Sequence, residues 1–215
     1  MQWPKLVGKS RNQPVKGQWH QWKQNIADHC GGQCIYCAIS EARFGGIRNF
    51  HVEHFRPKIR FSTLENDIHN LYLACAICNV LKSDDWPREP GTDHSAAAYP
   101  DPAVADYNLL FTVSHVTHEL DSATVAGKYV IERILLNRAQ LILERRLVSI
   151  LTLLTEFETW VDKQLPYMTA SEMKATINIL RKISSIKTGA LIARPYQNID
   201  TKRPVKTKAM RKRSR

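Results

Sequence analysis

Apolar residues recur along this chain at two periods, and the change of period divides it. Trp19, Trp22, Ile26 and Cys30 fall three and four apart, the spacing of one helical face. They predict a helix over residues 18–30 that its tryptophans anchor to a core, ended by Gly31-Gly32. From Ile47 to Glu53 the pattern alternates, with Phe50 and Val52 on one side, and predicts a strand. Leu71 to Ala74 is a short apolar run suited to pair with it antiparallel, and a helix is expected to begin near Cys75. Residues 1–17 and 84–107 are punctuated by Pro and Gly, which predicts an extended arm in the first case and an irregular wrapping segment in the second.

The helical period returns over residues 128–192. Asn137 is a candidate N-cap, after which Leu143, Leu147, Ile150, Leu154, Phe157 and Val161 make one apolar stripe. Pro166 should end that helix near Leu165. Thr169-Ala170-Ser171-Glu172 has the form of a capping box opening another, with Met173, Ile177, Leu180 and Ile183 as its inner face. The pattern predicts an α+β protein in five parts. An N-terminal arm and helix occupy 1–30, a small mixed module 31–85, an irregular linker 86–127, a helical region 128–192, and a basic, disordered tail 193–215.

Charge changes this picture in one respect. The chain has 215 residues and a net charge of +11, unevenly spread. Residues 1–29 carry +4, residues 30–85 balance, residues 86–193 carry −1 and residues 194–215 carry +8. A basic tail of that strength suits a polyanionic partner such as nucleic acid. No apolar run approaches the roughly 20 residues that span a bilayer, and Met1-Gln2-Trp3-Pro4-Lys5 lacks a secretory pattern. No membrane partner is expected, and a cytoplasmic location is.

Four of the five cysteines form two Cys-x-x-Cys pairs, Cys34 with Cys37 and Cys75 with Cys78. In a reducing compartment these read as metal ligands rather than disulfides. Four thiolates suit tetrahedral Zn²⁺ with no open position, hence a structural ion. Cys30 is the unpaired remainder, expected as a buried thiol at a helix end.

Between the pairs lie residues fit for hydrolytic chemistry. His54 offers a neutral imidazole near pH 7, a base for water. Glu53 offers the hard oxygen that Mg²⁺ prefers, and Asn79 could bring a second from the expected helix. Neighbours on a strand point to opposite faces, so Glu53 and His54 can share a site only where the strand ends, as Phe55-Arg56-Pro57 suggests. Asn70 is suited to brace the intervening loop. Arg56, Lys58 and Lys82 are candidates to grip phosphates.

The stretch His51-Val52-Glu53-His54-Phe55-Arg56-Pro57-Lys58, with Asn70 and with Cys75-Ala76-Ile77-Cys78-Asn79, resembles the HNH endonuclease superfamily and its ββα-metal site. Within it, the segment is most similar to the nuclease component of Septu-type and retron-associated anti-phage systems, which works beside a separate ATPase. The motif likeness covers residues 34–85. A looser likeness includes Gly127-Lys128-Tyr129-Val130-Ile131-Glu132-Arg133 and Leu136-Asn137-Arg138. The resemblance implies a zinc-stabilised ββα module in a mostly helical frame. It also implies His54 as general base, Glu53 and Asn79 as ligands of a catalytic Mg²⁺ or other divalent ion, and Asn70 as the structural Asn. Many members carry Asp before the base and His at the position of Asn79; both departures keep a ligand atom. A free-standing restriction or homing-type nuclease, and a binding protein with zinc knuckles and no catalysis, are the alternatives.

Overall fold

Strand β1, Phe50–His54, pairs antiparallel with β2, Leu71–Cys75, in a register running from Phe50↔Cys75 to His54↔Leu71. The structure is a computed structural model that describes residues 2–192, with the side chains of 186–192 left out. The expected basic tail, 193–215, lies outside the described residues. Strand β1 starts three residues later than the alternation predicts. Gly45 and Gly46, at φ +78° and +86°, feed Ile47–Asn49 into a 3-10 turn that ends only at Phe50. All five residues of β2 are buried, and helix α2, Ala76–Lys82, follows it directly. The result is a β-β-α unit whose first strand stops at His54.

The cysteine pairs close around this unit. The Ile35 amide donates to the Leu73 carbonyl at 2.9 Å, hooking the 34–37 knuckle onto β2. Helix α1, Lys23–His29, buries Ile26 and Ala27, and Cys30 ends it as a fully buried thiol that receives the Leu73 amide at 3.5 Å. The helix is shorter than the pattern suggests because Trp19–Trp22 form a 3-10 turn. Trp22 is a core residue, as expected; Trp19 is not, and lies partly exposed.

Two stretches expected to lack packed elements contribute core residues. Residues 2–17 have no regular structure, yet Trp3 and Leu6 are buried, and the Trp3 indole donates to the Tyr36 carbonyl at 3.0 Å. The 86–127 segment is irregular in backbone but supplies Trp86, Tyr99, Tyr107 and Phe111 to the interior. Trp86 lies edge-on to Phe55, ring centroids 5.1 Å apart, and stacks on Tyr99 at 6.2 Å. Aromatic rings of this size bury enough area to hold an aperiodic segment in place. The segment also contains α3, Tyr107–Leu110, and the small hairpin β3, Thr112–Val113, with β4, Leu120–Asp121.

Helix α4, Val125–Arg133, is capped by Thr124, whose hydroxyl accepts from the Gly127 amide. Gly127 is required there: a Cβ would lie 2.0 Å from the Ser122 hydroxyl oxygen. Tyr129 and Arg133 both engage Asp85 just after α2, and Arg133 also donates to the Leu81 carbonyl at 2.7 Å. Asn137 is not the cap of the next helix. Its amide pairs with both backbone groups of Leu120, at 2.7 and 2.8 Å, in the manner of a neighbouring strand.

Helix α5, Ala139–Gln164, contains the boundary between two compact units, Met1–Ser149 and a second beginning at Ile150. In the first unit its inward residues are Leu141, Glu144 and Arg145 rather than the predicted stripe, and Leu143 is exposed. Glu144 and Arg145 are tolerated inside because each is paired. Glu144 takes a two-point bond from Arg43 at 2.9 and 3.1 Å, and Arg145 donates to the Leu136 carbonyl at 3.0 Å.

The second unit holds the rest of α5, a 3-10 turn at Leu165–Tyr167 and α6, Ala170–Ile192. The Thr169 amide donates to the Glu172 carboxylate and the Glu172 amide to the Thr169 hydroxyl, the predicted capping box. Met173 and Ile177, expected on the inner face of α6, are exposed. Among the described residues no helix is long and apolar enough to cross a membrane.

Candidate active site

The end of β1, Pro57 to Ile59 of the loop that follows it, α2 and the Trp19–Trp22 turn line a cleft of about 680 Å³. Glu53, His54, Asn79 and Lys58 line it together. Asn70 sits behind the loop. Its amide oxygen accepts from the Arg56 amide at 2.8 Å, and its nitrogen donates to the carbonyls of Arg56 at 3.0 Å and Leu64 at 3.3 Å. The brace joins β2 to the chain leaving β1, which is where the strand must bend for adjacent residues to share a site.

His54 is held by one ring nitrogen. Nε2 lies 3.0 Å from the Glu65 carbonyl, and a carbonyl only accepts, so Nε2 carries the proton. In the neutral ring the lone pair is then on Nδ1. Burial lowers the imidazole below its usual value, Lys58 and Lys82 push the same way, and the Glu65 carbonyl opposes them. The free ring is thus the neutral form, with a base nitrogen not used by that bond.

Glu53 faces α2 and is 3 % exposed. The Lys82 ammonium lies 2.7 Å from Oε1, and the Tyr36 hydroxyl donates to the same oxygen at 3.1 Å. Burial raises the carboxyl above its usual value, while Lys82 and Tyr36 pull it back. Both contacts fall on Oε1, and Oε2 has no hydrogen bond among the described residues. The Asn79 side chain likewise makes none. A carboxylate oxygen and an amide oxygen on one cleft wall, neither claimed by the protein, fit a hard divalent ion that keeps waters of its own.

The phosphate-gripping expectations need correction. Lys82 has no exposed surface; besides Glu53 it donates to the His54 carbonyl at 3.1 Å and sits 5.5 Å from the centre of the Tyr99 ring. It cannot reach a phosphate from there. Arg56 does not line the cleft: Glu89 holds it at 3.0 Å, and Asp101 lies 3.8 Å away. Lys58 does line it, lying over the Trp19 ring at 4.8 Å and paired with Glu65 at 2.9 Å.

Sequence reasoning missed Trp19, Lys23, Arg48 and Tyr36. The first three line the cleft, with Trp19 edge-on to His54 at 5.1 Å between ring centroids. The basic residues of the 1–29 segment gave a signal for Lys23. Nothing in the local pattern marked Tyr36 beyond its place between two cysteines.

The sulfurs of Cys34, Cys37, Cys75 and Cys78 lie within 4.8 Å of one another, all buried. Cys37 and Cys75 are 3.8 Å apart, far beyond a disulfide bond. Bonds of about 2.3 Å to a tetrahedral Zn²⁺ put sulfurs about 3.8 Å apart, so the cluster is positioned to bind a metal such as zinc. Arg138 donates to the Cys78 sulfur at 3.4 Å and offsets part of the negative charge that four thiolates would bring. Tyr129, Arg133, Asn137 and Arg138 of the looser likeness thus converge on α2, its knuckle and the β3–β4 hairpin.

The HNH endonuclease family model matches residues 34–85, the span from the first knuckle to the end of the Asp84-Asp85 turn. No curated protein and no solved structure matches the chain. The matched span contains the β-β-α unit, the four cysteines and every residue of the proposed catalytic set. Residues 34–85 are therefore an HNH endonuclease domain, and the protein that carries it is a nuclease, a phosphodiester hydrolase acting on nucleic acid.

Proposed function

We propose that the cleft hydrolyses nucleic-acid phosphodiesters by a one-metal mechanism in which His54 is the general base. The observation that carries this is the single-sided tether of His54: Nε2 is committed to the Glu65 carbonyl, which leaves Nδ1 to take a proton from water. Glu53 through Oε2 and Asn79 would hold a divalent ion, Mg²⁺ or a similar one. When bound, that ion supplies positive charge against the phosphate and leaving oxygen. Asn70 holds the loop that presents His54. Lys23, Arg48 and Lys58 line the cleft as phosphate contacts, and Zn²⁺ in the cysteine cluster is structural.

In the cell we assign the nuclease to an ATPase-partnered anti-phage defence system acting in the cytoplasm. The likeness of Val52–Lys58 to Septu-type and retron-associated nucleases supports this. So do the apolar side chains exposed in the second unit, Leu153, Trp160, Tyr167, Met173 and Ile177, which offer area for a stable protein contact.

The test is cleavage of labelled single- and double-stranded DNA and RNA by zinc-loaded protein with added Mg²⁺. Glu53→Gln and Asn79→Ala should each require more Mg²⁺ and cut slower; unchanged cutting by both would refute the assigned site. Co-purification with an ATPase encoded beside this chain should survive deletion of residues 203–215. Loss of the complex on that deletion alone would place the contact on the tail.

A further inference from the structure

Tyr36 lies between the first two cysteines of the cluster, and Lys82 lies one helical turn beyond the last. Both reach the same atom. The Tyr36 hydroxyl is 3.1 Å and the Lys82 ammonium 2.7 Å from Glu53 Oε1. Tyr36 is itself fixed at its backbone, where its carbonyl accepts the Trp3 indole, and its ring is fully buried, edge-on to Tyr99 at 6.2 Å. Lys82 is fixed in turn by the His54 carbonyl at 3.1 Å. Neither side chain has exposed surface, so neither can swing aside to meet a substrate.

From this arrangement we propose that Tyr36 and Lys82 are positioning residues that hold Glu53 as a one-oxygen ligand for the catalytic ion. The inference rests on the assignment of Glu53 made above. An untethered carboxylate can turn and offer an ion either oxygen or both. With Oε1 engaged twice, the group has one orientation and presents Oε2 alone. A small ion such as Mg²⁺, which demands near-octahedral geometry, is served by a single oxygen at a set angle. The two tethers come from opposite knuckle arms, one carrying Cys34 and Cys37 and the other Cys75 and Cys78. The sulfur cluster that clamps those arms therefore also sets the aim of Glu53. A fold-stabilising metal cluster and a catalytic carboxylate are joined through two side chains, which gives Tyr36 a role that ring packing alone would not require.

Tyr36→Phe removes one oxygen and keeps the ring. The experiment measures Mn²⁺ binding to the zinc-loaded, full-length chain by the electron paramagnetic resonance of free Mn²⁺, without nucleic acid and independently of turnover. Zinc content and the Mg²⁺ dependence of cleavage are measured beside it. Tyr36→Phe should keep its zinc, weaken Mn²⁺ binding about tenfold, the scale expected for losing a hydrogen bond to a charged group, and raise the half-saturating Mg²⁺ by a similar factor. Mn²⁺ affinity within twofold of wild type would overturn the proposal. Loss of zinc or fold in Tyr36→Phe would overturn it too, because the hydroxyl would then serve the fold and not the second site. Glu53→Gln separates the two readings. If it binds Mn²⁺ as wild type does, the assignment of Glu53 fails; if it loses binding while Tyr36→Phe does not, only the positioning role fails.

Discussion

Lys82→Ala would remove one side of an ion pair whose other side stays buried. Its ammonium has no exposed surface and Glu53 is 3 % exposed, so water cannot replace what is lost. Breaking such a pair from one side costs roughly 3–5 kcal/mol. The Tyr36 hydroxyl remains on Glu53, which favours the lower end, about 3 kcal/mol, or roughly 6–12 °C in midpoint for a unit of this size. The loss should depend on pH with a definite sign. Burial already raises the Glu53 carboxyl with Lys82 opposing it, and without Lys82 it rises further. A carboxyl raised on folding contributes stability that is full below its unfolded value and is lost as pH climbs through the folded value. Denaturant unfolding of zinc-loaded protein should therefore show the greater loss at about pH 8 and the smaller at about pH 5.5. The double variant Lys82→Met with Glu53→Gln should recover most of the stability, since neither charge is then stranded. An equal loss at both pH values, or one below about 1 kcal/mol at the higher, would refute the buried-pair reasoning.

Cys75→Ser should leave the cysteine cluster with three thiolates. Metal analysis should find zinc lost, and circular dichroism should find the first unit unfolded, since binding and folding are coupled. Gly127→Ala places a methyl against the Ser122 hydroxyl, which the Leu110 carbonyl holds at 2.8 Å; thermal melting should show a loss of about 1–3 kcal/mol, and little loss would mean the two segments separate easily. Because burial lowers the His54 imidazole, the base should stay neutral to a lower pH than a free histidine would. The acid limb of the cleavage rate should then fall below the ordinary imidazole value, and a limb above it would contradict the environment described for His54.

The parts legible in the sequence are those where spacing alone limits geometry. Two Cys-x-x-Cys pairs leave few arrangements open to four thiolates. The strand-ending Phe55-Arg56-Pro57 forces the turn that lets Glu53 and His54 share a cleft. Asn70 was readable as a brace for the same reason. Lys82 was misread because a lysine in sequence is taken as solvated, and only a partner distant along the chain, Glu53, makes its burial affordable. Arg56 was misread through Glu89 and Asp101, which no local pattern connects to it. The 86–127 segment shows why periodicity is silent on aperiodic cores: Trp86, Tyr99, Tyr107 and Phe111 keep no common spacing and meet only in three dimensions. Trp19 follows the helical spacing of Trp22 and Ile26, but the 3-10 turn rotates it away from their face and over His54.

The role of His54 as general base in this cleft is tested most directly by single-turnover cleavage by His54→Ala beside the parent. Both proteins would be zinc-loaded and supplied with saturating Mg²⁺. Removing a general base costs about 10²- to 10⁴-fold in rate, so the variant should fall by that factor while keeping its zinc, its fold and its affinity for nucleic acid. Cutting by His54→Ala as fast as by the parent would show that His54 is not the base.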